Sequence, residues 1–120
     1  MPAYPCVLEG NVIIRHGGLF MPNEGTVKLP KGEDVASATE LDPGSGCLFD
    51  VTGTTEITKI AAAAAETGRV IILQFDASVT VTKGENLKLS ATFSATADDV
   101  LGLCCFDGTN WFELFSSANS

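Results

Sequence analysis

Basic residues are scarce in this chain: seven Lys and Arg stand against fifteen Asp and Glu, for a net charge of −8. They are scattered (Arg15, Lys28, Lys31, Lys59, Arg69, Lys83, Lys88), with no cluster that could track a phosphate backbone. Nucleic acid is therefore not an expected partner, because binding it needs a basic stripe, and an anionic membrane surface is disfavoured on the same ground. Histidine occurs once, at His16 between Arg15 and Gly17-Gly18, which reads as a solvated turn residue. A triad built on it would need a nucleophile in a recognisable context, and there is no Gly-x-Ser-x-Gly elbow. Long apolar runs are also missing; none approaches the roughly 20 residues that cross a bilayer. Met1-Pro-Ala-Tyr-Pro5 has neither the basic n-region nor the apolar h-region of a signal peptide, so synthesis and folding in a cytoplasm are expected.

The remaining sources of chemistry are thin. Cysteines stand at Cys6, Cys47, Cys104 and Cys105, without the Cys-x2-Cys or His spacing of a zinc site. Cys104 and Cys105 are adjacent in a strand-like run, so their side chains point to opposite faces and cannot grip one ion. Buried small hydrophobes in a reducing compartment are the expected role; a Cys6–Cys47 bridge formed after release from the cell is the alternative. Gly44-Ser45-Gly46 lacks the lysine of a phosphate loop. Asp98-Asp99 with Glu113 could in principle act as a glycosidase pair. Polysaccharide-degrading spikes use long β-helices for which this chain has no room, so no enzyme, cofactor or metal is expected. Asp98-Asp99 reads as a solvated turn, with calcium binding left open.

What is present is β-prone. Apolar residues make up 45% of 120 residues and charged ones 18%, which suits one domain with one core and some apolar surface left for a partner. Residues 1–46 hold all five prolines and many glycines, with short apolar runs at Val12-Ile13-Ile14 and Val27-Lys28-Leu29. Such a segment cannot bury a core of its own; it reads as an extended N-terminal arm or as a lead-in packed on its own domain. Residues 47–120 form the β module. Val100–Phe106 and Trp111–Phe115 flank Asp107-Gly108-Thr109-Asn110, a strong hairpin signal. Gly68–Phe75 and Ser78–Thr82 repeat the theme around a turn at Asp76-Ala77. In that first run both alternating sets are apolar, Ile71, Leu73 and Phe75 on one face and Val70 and Ile72 on the other. Such a strand is buried on both sides, between sheets or between subunits. Ala61–Glu66 is the one helical patch, with Gly68 placed to end it. The aromatic group Trp111, Phe112 and Phe115 reads as core, with a sugar-binding patch or a subunit interface as alternatives.

Gly53-Thr-Thr-Glu-Ile-Thr58, Gly68-Arg-Val-Ile-Ile-Leu-Gln-Phe75, Thr82-Lys-Gly-Glu-Asn-Leu-Lys-Leu89, Asp99-Val-Leu-Gly-Leu103 and Asp107-Gly-Thr-Asn-Trp111 span more than half the chain in order. Together they resemble a small all-β module of tailed-phage virion proteins, found on capsid decoration proteins, head fibres and tail fibres. Glu9–Ile14 and Gly25–Pro30 resemble the leader of head-decoration chains. The resemblance implies a non-enzymatic structural protein, a capsid decoration (cement) protein binding the major capsid protein on the outer shell of the virion as a homotrimer. The expected fold is all-β, a small antiparallel sandwich or barrel with an extended N-terminal arm. Its expected interface residues are Val12, Ile13, Ile14, Leu19 and Phe20 of the leader and Ile71, Leu73 and Phe75 of the module. The alternative is a tail- or head-fibre module binding a host surface glycan; a third reading is a cellular adhesin-like β domain of prophage origin.

Overall fold

The computed structural model describes residues 28–119, together with the backbone pairing of two short antiparallel strands, β1 (Val7–Leu8) and β2 (Asn11–Val12). The fold is all-β, as the alternating apolar pattern predicts. The strands that follow are β3 (Val35–Ala36), β4 (Glu40–Leu41), β5 (Leu48–Thr52), β6 (Lys59–Ile60), β7 (Val70–Phe75) and β8 (Val79–Val81), then β9 (Leu87–Lys88), β10 (Phe93–Ala95), β11 (Val100–Cys105) and β12 (Trp111–Ser117). One curled six-stranded sheet runs in the order β3-β5-β7-β11-β12-β9, and two ribbons, β4-β6 and β8-β10, lie outside it.

The sheet is mixed rather than antiparallel. β7 pairs antiparallel with β11, and β11 with β12, but β3–β5, β5–β7 and β9–β12 are parallel. Parallel neighbours need a crossover, and the β5-to-β7 connection carries β6 and a single 3-10 turn at Ala62–Ala64. That turn is all that forms of the helical patch expected over Ala61–Glu66, since so short an alanine run cannot nucleate an α-helix unaided. The expected partnership of β7 with β8 also fails. Both edges of β7 are taken, by β5 and β11, so after Asp76-Ala77 the chain leaves the sheet and β8 pairs with β10 instead.

Alternation places the core. Phe49 and Val51 from β5, Ile71, Leu73 and Phe75 from β7, and Leu101, Leu103 and Cys105 from β11 line one face of the sheet. Leu41, Ile57, Ile60, Val79, Val81 and Ala95 close over them from the ribbons and connections. Leu41 is fully buried and Val35–Ala36 pairs with Val51–Thr52, so the boundary expected at residue 46 falls inside the fold; residues 31–41 belong to the module. Arg69 fastens the Pro43–Gly46 connector, donating to the carbonyls of Gly44, of Gly46 (3.4 Å) and of Ala64 (2.9 Å). Lys28-Leu29 lies in no strand.

The Asp107 loop joins β11 to β12 with Cys105 opposite Trp111. Its carboxylate accepts from the backbone of Asn110 (2.7 Å) and Thr109 (2.9 Å) and from the Asn110 side chain (3.0 Å). Gly108 takes φ +80°, where a side chain is strained. The Asn110 backbone bond, then its side chain, then Thr109 lower the Asp107 pKa from 3.8 to about 2. A carboxylate with a depressed folded pKa stabilises fully above its unfolded pKa, and loses that contribution as pH falls through the folded value. An NMR titration should therefore place the Asp107 midpoint near 2. The melting-temperature gap between wild type and Asp107→Ala should persist at neutral pH and shrink between about pH 4 and pH 2.

Trp111 is the largest side chain in the core, with no exposed surface, and its indole N–H has no hydrogen-bond partner among the described residues. Its ring volume stabilises while its orphan donor costs on the order of 1–3 kcal/mol. Trp111→Ala should lose roughly 3–5 kcal/mol in urea denaturation, a large part of a small domain's stability. Trp111→Phe should lose far less, because it keeps most of the packing and removes the unpaired donor. Equal losses for the two would contradict this.

Candidate interaction surface

The sheet has a second face. Alternation that buries Phe49, Ile71, Leu73 and Leu101 turns Leu48, Val70, Ile72, Val100 and Cys104 the other way, and each of these is half-buried. Registers align Leu48 with Ile72, Ile72 with Gly102, and Val70 with Cys104, so these side chains form one continuous outer patch.

A β-bulge completes it. Gly102 faces Phe115 and Leu103 faces Glu113, which leaves Leu114 as the extra residue. Strict alternation would send Phe112 and Phe115 to opposite faces. With the bulge, both lie opposite the outward residues Cys104 and Gly102. The Phe115 ring rests on Gly102: a Cβ built there would lie 2.4 Å from the ring. Phe112 meets Phe106 edge-on, centroids 5.4 Å apart. Phe106, Phe112, Leu114 and Phe115 are 61%, 37%, 48% and 43% exposed. The charged residue on the outward positions of β5, β7 and β11 is Asp50, which pairs with Lys31 at 3.2 Å.

These positions correct the expected interface. Ile71, Leu73 and Phe75 are buried to within 1% inside a single chain, so no second subunit can touch them; the alternate set on the same strand faces out. Val12 lies in β2, where only the backbone is described; Ile13, Ile14, Leu19 and Phe20 lie outside the described residues, as do Cys6 and His16. Cys47, Cys104 and Cys105 are free thiols, and Cys104 and Cys105 do point to opposite faces. The aromatic group divides: Trp111 is core, while Phe112 and Phe115 are surface. Asp98-Asp99 divides too. Asp98 is exposed at φ +73°, whereas Asp99 is buried and accepts from Thr96 and from the Asn119 backbone at 2.9 Å. Glu113 accepts from the backbone and hydroxyl of Ser90, both at 3.0 Å.

A cleft of about 480 Å³ lies beside the Asp107 loop. Much of its polar lining is already engaged. Asn86 exchanges two hydrogen bonds with the Ile60 backbone, Asn110 binds Asp107, and Lys59 pairs with Glu40 at 3.6 Å. No aromatic side chain lines it. Among the described residues, no group of three or more potential metal ligands exists, and no helix is long and apolar enough to cross a membrane. The outer face is the surface left without an internal role. No family model, curated protein or solved structure matches this chain.

The contact between Phe115 and Gly102 is open to a double-mutant cycle. Gly102→Ala should cost about 1–3 kcal/mol by forcing the ring off the strand. On a Phe115→Ala background the same change should be neutral or stabilising, since Ala orders a strand better than Gly. Equal effects on both backgrounds would mean that the ring does not lie there in solution.

Proposed function

We propose that this chain is a non-enzymatic structural protein of a tailed-phage virion, a decoration protein that binds the outer shell of the capsid as a homotrimer. The observation that carries this reading is the outer sheet face, apolar and almost free of charge on a strongly acidic chain. Such a surface is suited to standing protein contact and offers no chemistry. The resemblance of the β module to virion modules supplies the setting. A decoration protein stabilises by linkage: it binds the assembled lattice and not the separated subunits, so disassembly must also break its contacts. Three copies joined in one unit strengthen this, because after one has docked the others act at a high effective concentration.

The glycan-binding alternative has less to stand on. Sugar recognition commonly stacks a ring on an exposed aromatic set among hydrogen-bonding groups; Trp111 is fully buried, the cleft beside the Asp107 loop has no aromatic lining, and the exposed Phe106, Phe112 and Phe115 lie against apolar neighbours. Quantitative mass spectrometry of particles purified from the phage that carries this chain separates the two. Decoration requires hundreds of copies per particle. Tens or fewer would favour a fibre, and none would end both readings.

A further inference from the structure

We propose that the outer face is the surface on which copies of this chain pack against one another. The inference rests on the oligomeric part of the reading above and assigns it a place.

The first argument is the sheet itself. A strand that is apolar on both sides is characteristic of sheets with both faces covered. β7 is such a strand: Ile71, Leu73 and Phe75 are covered by the chain's own core, while Val70 and Ile72, with Leu48 of parallel β5 beside Ile72, have no second layer among the described residues. Every copy carries the same deficiency, so packing the outer faces of three copies about a common axis relieves all of them at once. The second argument is charge. At −8, copies repel one another, and the repulsion is least where no uncompensated charge lies. The outer face comes close to that condition: Asp50 is matched by Lys31, and Lys88, exposed in register with Phe112 on edge strand β9, is opposite in sign to the chain's net charge. A partner selected by charge complementarity would find little to read here. The third argument is area. The half-exposed phenylalanines and Leu114, with the half-buried aliphatics beside them, present apolar surface on the order of 500 Å². A standard interface buries about 800 Å² per partner, of which about 60% is apolar, so the two quantities agree.

The test compares the full-length wild type with Phe115→Glu and Phe112→Lys by light scattering and native mass spectrometry. Thr80→Glu, at the exposed position of β8, controls for added charge. Wild type and Thr80→Glu should be oligomeric. The two face variants should keep the wild-type circular dichroism and associate more weakly by on the order of 30-fold or more. If Phe115→Glu does not fold, Phe112→Lys decides, since that ring covers no glycine. A readout without mutation is peptide-resolved thiol labelling: Cys104 should be shielded as protein concentration rises, while buried Cys105 stays unreactive throughout. Oligomers that survive both face variants, Cys104 labelling independent of concentration, or a monomeric wild type at high concentration would each overturn the inference. Particle attachment is scored separately. A monomer that still decorates capsids fails this inference alone, and an oligomer broken by the face variants but absent from particles fails only the decoration reading.

Discussion

The structure depends on β11 being hydrogen-bonded along both edges. β7 and β12 flank Val100–Cys105 on either side, so the strand can move neither edge nor register without breaking two ladders. A one-residue slip would exchange Leu101, Leu103 and Cys105, all without exposure, for Val100, Gly102 and Cys104. Through β11 the Asp107 loop sets the position of Trp111, and through Trp111 and Leu87 the parallel edge strand β9 is held in place.

The division of labour between the two faces follows from this lock. The inner face is filled by the chain's own ribbons and connections; the outer face is left to its aromatic and aliphatic side chains. Apart from Phe106, its aromatic and aliphatic side chains are held by strands rather than by loops, so little side-chain freedom remains to be lost when a partner covers them. A surface of that kind suits an assembly that forms once and persists.

Much of this was legible in the residues. Alternation located β7, β11 and β12, and Asp107-Gly108 located the hairpin, because these depend on local chemistry. Alternation separates the two faces of β7 correctly, yet the expected interface set, Ile71, Leu73 and Phe75, is the one the chain buries itself. Both sets are apolar, and only the tertiary structure decides which meets the chain's own ribbons. Phe115 was misplaced for a different reason. Its face is set by a bulge at Leu114, and the cue available was Gly102 opposite, a strand glycine that leaves room for a ring. Parallel pairing was also invisible: Leu48 finds Ile72, and Leu87 finds Trp111, across long intervals that no local pattern encodes. Residues 31–41 read as leader because their strands are two residues long and sit among turn formers, although Leu41 reaches the core.

Those distant pairings bear on how the chain comes to fold. β7, the most apolar strand, finds neither sheet neighbour in the residues next to it. β5 precedes it by a whole crossover, and β11 lies beyond β8, β9 and β10. During synthesis Val70–Phe75 must therefore emerge and wait with one edge unpaired until Val100–Cys105 follows. Folding limited by such non-local closure is slow compared with a chain of nested hairpins. An apolar strand edge left open in the meantime is prone to pair with another nascent copy. For a chain made in bulk, yield would be governed by the delay between β7 and β11 more than by the stability of the finished domain.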